Sequence, residues 1–368
     1  MAVFSAASFA DHEQVVFCND PETGLKAIIA IHDTTLGPAL GGCRMWPYAS
    51  EAEALEDVLR LARGMTYKAA MADLDFGGGK AVVIGDPRRD KTAALLASLG
   101  RFVEGLGGRY IIAEDVGTSL PDMEVVRQVT EHVAGTAGGG SGDPSPATAW
   151  GVYQGIRAAL EQRLGRADLA GLAVAVQGLG HVGTYLCEHL AEAGARLIVS
   201  DLDGEAVRRA VQRFGATAVA AGAIYDARAE VFAPCALGAI LDDDTIPRLK
   251  ASVVAGSANN QLAEPRHGAL LAARGILYAP DYVINAGGII NISHERPSYD
   301  PELAFDHVAG IHDTLAELFA RAEAEGVPTS EMADRLAAER LAEARAAKRP
   351  RPGRKLHEGH EAAVAALA

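Results

Sequence analysis

Short apolar runs recur along the first third of the chain, and each is closed by turn or polar residues. They are KAIIAI (26–31), AVVIG (81–85) and RYIIAED (109–115). Runs of this length, rich in β-branched residues and bounded by turn signals, are typical of buried strands. The pattern therefore predicts a sheet in this part of the chain.

Between the first two runs, residues 50–70 change to a helical period. Leu55, Val58 and Leu59 recur at three- and four-residue steps and form one apolar stripe. Ser50 opens the segment and acidic residues fill its first turn, as is usual at the start of a helix. Strands that alternate with a helix indicate an α/β domain.

The chain's richest glycine, serine and proline stretch, GTAGGGSGDPSPATAWG, covers residues 135–151. Such a composition is typical of a linker or hinge. A chain of 368 residues also exceeds the length at which one hydrophobic core stops growing. We therefore predict a first domain over residues 1–135 and a second over 136–325. The remainder, 326–368, is predicted to be a partly flexible segment that returns towards the first domain.

The second domain contains a pattern typical of dinucleotide binding. The apolar run LAVAV leads into GLGHVG (178–183), a helical pattern follows, and a second apolar run, RLIVS, ends just before Asp201. In such folds the first glycine permits a tight turn, the second lets the backbone approach the pyrophosphate, and the third lets the helix pack on the strand. The helix N-terminus offers free N–H groups to the phosphates. The residues predicted to contact the cofactor here are Gly178, Leu179, Gly180, His181, Val182 and Gly183.

The acidic residue after the second run bears on which dinucleotide binds. Asp201 lies 23 positions after Gly178, where a carboxylate accepts hydrogen bonds from a ribose hydroxyl and repels a 2′-phosphate. Asp203 and Glu205 follow, and no arginine comes before Arg208. The sequence therefore predicts NAD, in preference to NADP, as the cofactor.

Asparagines follow two later strand-like runs of the second domain. The runs that continue a doubly wound sheet cover residues 230–241, 251–260 and 275–288. Ligands of such sheets bind beyond the carboxyl ends of the strands. There, Asn259, Asn260 and Asn285 have amides that could meet a nicotinamide carboxamide. Asparagines that cap turns are the alternative interpretation.

Composition narrows the class of partner. A net charge of −14 would repel nucleic acid and an anionic membrane surface. The N-terminus lacks the regions of a signal peptide, and no apolar stretch is long enough to predict a membrane span.

The cysteines are scattered, so we predict reduced thiols, a cytoplasmic location and no metal site. The basic stretch 346–355 is interpreted as a solvated terminal segment.

The stretch MADLDFGGGK (71–80) sets three glycines against a lysine. A nucleotide P-loop would need glycine at position 74 and serine or threonine at position 81. The chain has Leu74 and Ala81 there. Lys80 is therefore not predicted to bind phosphate, and the glycines are interpreted as sites of close backbone packing.

Three charged residues of the first half remain candidates for chemistry: Lys68, Lys80 and Asp115. Lys68 lies among apolar and small residues, Lys80 lies at the mouth of a buried strand, and Asp115 lies at a strand end. A half-buried lysine loses hydration and becomes able to accept a proton near neutral pH. A solvated surface charge is the alternative interpretation for each of them.

Several segments resemble the glutamate/leucine/phenylalanine/valine dehydrogenase family, and within it the leucine-specific members. They cover residues 24–48, 60–80, 109–118, 142–153, 233–238, 256–262 and 280–288. The resemblance implies two α/β domains, one for substrate and oligomerisation and one of Rossmann type for NAD, with a cleft between them. It implies reversible NAD-dependent oxidative deamination of an L-amino acid to a 2-oxo acid and ammonia. It also implies a homo-oligomer, from dimer to octamer.

The resemblance also assigns roles by position. Lys68 would bind the substrate α-carboxylate with the backbone of Gly41 and Gly42. Lys80 would activate the water that attacks the imine, and Asp115 would move the proton to and from the substrate nitrogen. In the second domain, the residues that would hold the nicotinamide and its ribose are Thr148, Asn285 and Asn260.

The substrate is implied by the residue before the paired glycines. Glutamate-specific relatives carry a lysine there, whereas this chain has Leu40. Burying an unpaired carboxylate costs several kcal/mol, so glutamate should be rejected. The side-chain pocket implied by the resemblance is lined by Leu40, Met65, Ala113, Ile289 and Ile292. This lining favours leucine, isoleucine and valine, among which discrimination is weak because one methylene contributes only about 1–3 kcal/mol. Phenylalanine stays open, since the identities of the lining residues do not give the volume of the pocket.

Two other classes of function are weighed against this one. An NAD-binding regulatory protein with a degenerate site would have lost Lys80 or Asp115, and both are present. A 2-hydroxy-acid dehydrogenase would need a catalytic histidine, but His32 and His181 are interpreted as structural. Near the C-terminus, residues 304–326 predict one amphipathic helix that returns towards the first domain.

Overall fold

Two separate sheets organise the computed structural model, which describes residues 3–136, 141–295 and 299–348. Among these residues no helix is long and apolar enough to cross a membrane. The glycine run at 137–140 and the basic stretch beyond residue 348 lie outside the described residues.

The first sheet contains five strands in the order β1-β2-β4-β3-β5. Its strands are β1 Gln14–Asp20, β2 Leu25–Asp33, β3 Ala39–Trp46, β4 Gly77–Ile84 and β5 Tyr110–Glu114. The helices of this half are α1 Glu51–Met71, α2 Ala93–Glu104 and α3 Leu120–Arg127. Helix α1 covers one face of the sheet, and α2 and α3 cover the other. Strand β3 is parallel to both of its neighbours, β4 and β5, so the carboxyl ends of these three strands meet at one edge.

The predicted helix over 50–70 is confirmed. The Ser50 side chain accepts a hydrogen bond from the Glu53 backbone N–H at 3.2 Å and caps α1. The stripe of Leu55, Val58 and Leu59 is fully buried against the sheet. The amphipathic pattern thus correctly identified the face of α1 that packs on the sheet.

The glycines of β4 allow neighbouring backbones to approach closely. A Cβ on Gly77 would lie 2.0 Å from the Asp33 carbonyl oxygen, and one on Gly78 would lie 2.0 Å from the Thr66 nitrogen of α1. The interpretation of close packing is therefore confirmed. Lys80 is the fourth residue of β4, so it lies within the strand and not at its mouth as predicted.

The second sheet contains six parallel strands in the order β11-β10-β9-β6-β7-β8. Its strands are β6 Ala173–Gln177, β7 Arg196–Ser200, β8 Thr217–Ala218, β9 Val231–Pro234, β10 Val253–Val254 and β11 Leu277–Tyr278. Its helices are α4 Ser145–Leu164, α5 His181–Glu192, α6 Gly204–Phe214, α7 Arg266–Ala273, α8 Asp281–Ile284 and α9 Gly287–Ser293. The strand order reverses between β6 and β9, as in a doubly wound dinucleotide-binding sheet.

The C-terminal part is helical and corrects one prediction. The single helix expected over 304–326 is two helices, α10 Pro301–Ala309 and α11 Ile311–Glu325, interrupted at Gly310. Both pack on α4 of the second domain. The contact with the first domain is made mainly by α12, Thr329–Lys348, which runs along α1.

Candidate active site

Lys80 and Asp115 form an ion pair at the carboxyl edge of the first sheet. The Lys80 Nζ lies 2.7 Å from the Asp115 Oδ2, and the lysine side chain is almost fully buried. Lys80 lies on the face of β4 that α1 covers, opposite Ala30 and two residues before Val82. Asp115 follows the last residue of β5. Strand β3 lies between them.

Glycines in β3 provide the space in which this pair meets. A Cβ on Gly42 would lie 2.5 Å from the Glu114 carbonyl oxygen and 2.8 Å from the Asp115 Cβ. Because no side chain fits at Gly42, which lies on the same face as Lys80, Lys80 and Asp115 can reach each other across β3. On the opposite face, a Cβ on Gly41 would lie 1.8 Å from the Gly79 carbonyl oxygen.

The Asp115 carboxylate is held in its ionised form. Burial opposes its charge, but attraction to Lys80 and Arg44 outweighs burial and lowers the pKa of Asp115 to about 2. Its backbone N–H donates to the Thr118 hydroxyl at 2.9 Å, and that hydroxyl in turn donates to the Cys43 carbonyl at 2.8 Å. The loop after β5 is thereby tied to β3.

Lys68 lies in the last turn of α1, close to the same pair. Burial and repulsion by Lys80 lower the pKa of Lys68, Asp281 and Asp115 oppose the shift, and the net value is about 8. Asp281, at the start of α8, comes from the second domain. The three charged residues predicted from the sequence are therefore brought together where the two domains meet.

Apolar residues of both domains pack beside the charged groups. Leu40, Met65, Ile289 and Ile292 belong to one hydrophobic cluster. Leu40 is only 2% exposed. Ala113 is also buried and pairs with Gly42 in the sheet register, but the structure does not bring it into this cluster. Four of the five predicted pocket residues thus belong to the hydrophobic cluster that joins the two domains.

Sequence reasoning missed the arginine between two carboxylates. The Arg44 Nη1 lies 2.9 Å from the Asp57 Oδ2, and its Nε lies 3.3 Å from the Asp115 Oδ2. Asp57 also accepts from the Tyr48 hydroxyl at 2.7 Å and from Arg60 Nη2 at 2.7 Å. The available signal was the strand period, since a residue two positions after Gly42 lies on the same face of β3.

In the second domain, the glycine turn lies at the point where the strand order reverses. Gly178 has a φ of +97°, which a side-chain-bearing residue rarely adopts. A Cβ on Gly183 would lie 2.1 Å from the Gly178 carbonyl oxygen, whereas one on Gly180 would meet nothing within 4 Å. Helix α5 begins at His181 with no side-chain hydrogen bond to its first N–H groups. The turn thus leaves open space and free donors where a pyrophosphate would bind.

The side chains of this turn divide between the core and solvent. Leu179 is buried and Val182 packs against the hydrophobic core, while His181 is exposed. The carboxylate of Asp201 accepts hydrogen bonds from the Leu179 N–H at 2.5 Å and the Asp203 N–H at 2.8 Å. Asp201 is therefore held beside the turn, at the end of β7, which is where a carboxylate accepts a hydrogen bond from a ribose hydroxyl in such folds.

Asn285 has an unsatisfied acceptor suited to an amide ligand. Its Nδ2 donates to the Ser257 carbonyl at 3.1 Å and to the Asn259 Oδ1 at 2.8 Å. Its Oδ1 is buried with no hydrogen-bond partner among the described residues. Thr148 lies nearby, because a Cβ on Gly288 would be 3.0 Å from its hydroxyl. A carboxamide N–H₂ group fits this orphaned oxygen.

Asn260 makes a different contact from the other asparagines. Its backbone has a φ of +52°, and its Oδ1 accepts from the Arg60 Nη1 at 3.0 Å. Arg60 lies on α1, so this hydrogen bond joins the two domains. A contact of Asn260 with the cofactor ribose stays a prediction.

Comparison with protein families gives matches to both halves of the chain. A family model described as "Glu/Leu/Phe/Val dehydrogenase, dimerisation domain" matches residues 12–132. A second, "Glutamate/Leucine/Phenylalanine/Valine dehydrogenase", matches residues 139–209 and 203–349. These matches include the first sheet, the glycine turn and most of the C-terminal helices.

Individual relatives cover nearly the whole chain. A leucine dehydrogenase of Geobacillus stearothermophilus is 56% identical over 352 residues, covering 95% of this chain and 96% of the relative. A phenylalanine dehydrogenase of Caldalkalibacillus thermarum is 50% identical over 348 residues, covering 93% and 94%. Among solved structures, an L-tryptophan dehydrogenase from Nostoc punctiforme superposes with a TM-score of 0.81 at 49% identity, covering 91% and 97%.

Proposed function

The chain belongs to the glutamate/leucine/phenylalanine/valine dehydrogenase family, and from this we propose its substrate, cofactor and catalytic groups. It catalyses the reversible, NAD-dependent oxidative deamination of branched-chain L-amino acids. L-Leucine is the preferred substrate, with L-valine and L-isoleucine also accepted. The products are the 2-oxo acid and ammonia.

The observation that carries this proposal is the position of a charged pair beside an aliphatic cluster. The Lys80–Asp115 ion pair, 2.7 Å long, provides groups for proton transfer. The neighbouring cluster that includes Leu40, Ile289 and Ile292 provides an apolar surface for the substrate side chain. Since Leu40 cannot neutralise a second carboxylate, the site selects against glutamate.

The chain's own residues position the substrate by its charges. Lys68 pairs with the α-carboxylate, and the side-chain-free backbone at Gly41 and Gly42 lets that carboxylate approach the sheet. The side chain enters the aliphatic cluster, which leaves Cα between the Lys80–Asp115 pair and the second domain. Holding the reacting atoms in this way supplies much of the rate enhancement expected of a two-substrate reaction.

The proton transfers fall to Lys80 and Asp115. Asp115 first takes a proton from the substrate ammonium group, and a nicotinamide bound in the second domain would supply the acceptor for the hydride of Cα, which leaves a C=N bond. Neutral Lys80 takes a proton from water as the water oxygen bonds to Cα and the C=N bond becomes single. Asp115 returns its proton to the nitrogen, the C–N bond breaks and ammonia leaves, and the carbinolamine hydroxyl gives its proton to the Asp115 carboxylate to form the 2-oxo acid. Both residues then release their protons to solvent. General acid–base help of this kind contributes about 10²–10⁴ in rate.

The choice of NAD rests on Asp201. Its carboxylate is fixed by two backbone N–H groups beside the glycine turn and would repel the 2′-phosphate of NADP. Thr148 and Asn285 hold the nicotinamide, and the orphaned Oδ1 of Asn285 supports an amide contact there. The turn from Gly178 to Gly183 binds the pyrophosphate through backbone N–H groups.

The chain acts as a homo-oligomer. The match of residues 12–132 to a dimerisation domain supports this assignment. The number of subunits, from dimer to octamer, and a cytoplasmic location stay predictions.

One experiment tests the reaction and its substrate together. NADH or NADPH formation is measured with L-leucine, L-valine, L-phenylalanine, L-tryptophan and L-glutamate, each with NAD and with NADP. We expect the highest kcat/KM with L-leucine and NAD. No turnover with any amino acid would contradict the enzyme assignment, and a preference for an aromatic substrate would contradict the substrate. A Lys80→Ala variant that keeps wild-type turnover would contradict the role of that lysine.

A further inference from the structure

Arg44 contacts two carboxylates that belong to different parts of the first domain. Asp57, on α1, is 2.9 Å from its Nη1, and Asp115, after β5, is 3.3 Å from its Nε. The Arg44 side chain is 21% exposed. A planar guanidinium presents donors in fixed directions, so it can hold two carboxylates in one geometry.

The second carboxylate, Asp57, is itself held firmly. It accepts hydrogen bonds from the Tyr48 hydroxyl at 2.7 Å and from Arg60 at 2.7 Å. Arg60 also donates to Asn260 across the cleft. Arg44 is therefore anchored on α1 at one end, and at the other its Nε lies 3.3 Å from the Asp115 Oδ2 as an ion pair without hydrogen-bond geometry.

Arg44 and Lys80 approach the same oxygen of Asp115. Both distances, 3.3 Å and 2.7 Å, are measured to Oδ2. The Asp115 carboxylate therefore turns Oδ2 towards the two cations. Loss of Arg44 would leave Lys80 as the sole cation on Oδ2 among these contacts.

The charge of Arg44 gives it a second effect, on Asp115. Burial opposes the ionised carboxylate, whereas attraction to Lys80 and Arg44 lowers the pKa of Asp115. Without Arg44, Lys80 is the cation that remains among these contacts to oppose burial, so the pKa of Asp115 would rise.

We propose that Arg44 is a positioning residue for oxidative deamination, which holds the Asp115 carboxylate beside Lys80 through Oδ2. The inference rests on the proposed function, because it assumes that Lys80 and Asp115 carry out the proton transfers. Arg44 acts through these two residues and does not itself contact the reacting atoms.

Other groups around the pair also set its protonation, and they stay unchanged in the test below. Titratable or charged groups lie around the pair on α1, on β3 and at the end of β5. A further group, on α8, acts on the pair through its effect on Lys68. Together these groups are Lys68, Asp57, Cys43, Glu114 and Asp281.

The test compares Arg44→Gln and Arg44→Lys with the wild type. The pH dependence of kcat and kcat/KM is measured with L-leucine and NAD. For Arg44→Gln we expect kcat to fall at least about tenfold. We also expect the acidic side of the pH profile, where activity falls, to shift to higher pH by about one unit or more, because Asp115 loses a cation within 4 Å. Arg44→Lys restores the positive charge, so the acidic side of its profile should shift back towards the wild-type position.

Arg101→Gln is the matched control. Arg101 lies on α2, which covers the opposite face of the sheet, and its Nη2 is 3.5 Å from the Asp20 Oδ2. The pH profile of Arg101→Gln should therefore equal that of the wild type. Thermal unfolding of each variant verifies that it is folded. An Arg44→Gln enzyme with a wild-type pH profile would overturn this inference alone. A wild-type protein without activity on any amino acid would overturn the proposed function and this inference with it.

Discussion

At the scale of single residues, the chemistry depends on burial and charge acting in opposite directions. Burial disfavours the charged forms of Lys68 and Asp115 alike, yet the pKa of Lys68 falls to about 8 while that of Asp115 falls to about 2. The two pKa values fall for different reasons. Burial lowers the pKa of Lys68, and repulsion by Lys80 adds to it. Burial alone would raise the pKa of Asp115, but two cations at its Oδ2 outweigh burial. One site thus holds a firmly ionised acid and a lysine that titrates near neutral pH.

The pKa of Lys68 predicts how carboxylate binding depends on pH. The inhibition constant of 4-methylpentanoate, which lacks the amino group, should be constant below about pH 7. Above about pH 8 it should rise by up to about tenfold per unit, because Lys68 loses its positive charge. Lys68→Arg keeps a cation throughout this range, so its inhibition constant should depend less on pH. Inhibition of the wild type that stays constant up to pH 10 would contradict the carboxylate-binding role.

Asp201 predicts the cofactor preference. Asp201→Asn removes a charged acceptor worth about 1.5–3 kcal/mol, so kcat/KM with NAD should fall about 10- to 100-fold, with little loss for NADP. Asp203→Asn is the neighbouring control, because Asp203 caps α6 through Glu205 N–H at 2.8 Å and lies outside the turn. Equal losses with both cofactors in Asp201→Asn would contradict a role in discrimination.

At the scale of elements, α1 can carry Lys68 to the cleft only because β4 has no side chain at Gly78, where the helix comes closest. Thr66, on the buried face of α1, occupies the space that a Gly78 side chain would need. His32 on β2 also meets this face, through a 2.8 Å hydrogen bond between its Nδ1 and the Thr66 hydroxyl. The histidine is buried in a structural contact, as its sequence setting indicated.

Two glycine substitutions test this packing. Gly78→Ala would bring a Cβ within 2.0 Å of the Thr66 nitrogen, so we expect a loss of about 1–3 kcal/mol in the free energy of unfolding and a higher KM for L-leucine. Gly64→Ala lies on α1 with nothing within 4 Å of its Cβ and should be stabilising by up to about 1 kcal/mol. Thermal or denaturant unfolding at one protomer concentration compares them. Equal stabilities for both variants would contradict the packing argument.

At the scale of the whole molecule, the second half of the chain provides hydrogen-bond donors to the carbonyl groups at the C-terminus of α1. Arg340 of α12 donates to the carbonyls of Ala70 and Met71, both at 3.1 Å. The His307 ring nitrogen Nε2 lies 3.0 Å from the Ala72 carbonyl oxygen. The last carbonyls of a helix lack the usual donor four residues on, and the Ala70 carbonyl accepts locally from the Asp73 N–H at 3.3 Å, so the donors from the C-terminal helices help to hold the end of α1 that carries Lys68.

Arg340→Ala tests this contact. The lost bonds are charge-assisted, so the free energy of unfolding should fall by about 1.5–3 kcal/mol, and hydrogen exchange should accelerate in α12 and the last turn of α1. Arg335→Ala is the control on the same helix. Its ion pairs with Glu325 and Glu331 are surface-exposed, and its removal should change stability by at most about 1 kcal/mol. Equal effects of the two substitutions would contradict the capping role.

Much of the architecture could be predicted because its signals are local. The apolar stripe of α1, the Ser50 cap and the strand–turn–helix around Gly178 each depend on neighbours within a few positions. The break at Gly310 was missed because an apolar stripe continues across it, and only the backbone geometry separates α10 from α11. The sequence analysis also did not predict strand β3. Its two adjacent glycines weaken the local strand propensity, and packing against β4 and β5 outweighs that local preference.

The sequence by itself determined the parts whose physics is contained in one segment, namely the glycine turn at 178–183, the acidic residue after β7 and the absence of a lysine at position 40. The tertiary structure decided the parts that depend on register between strands. Lys80 and Asp115 meet only because β3, between β4 and β5, has no side chain at Gly42, and Arg44 joins them only because it follows on the same face. Local propensity contains no information about which strand ends meet, so these contacts become visible only once the sheet is assembled.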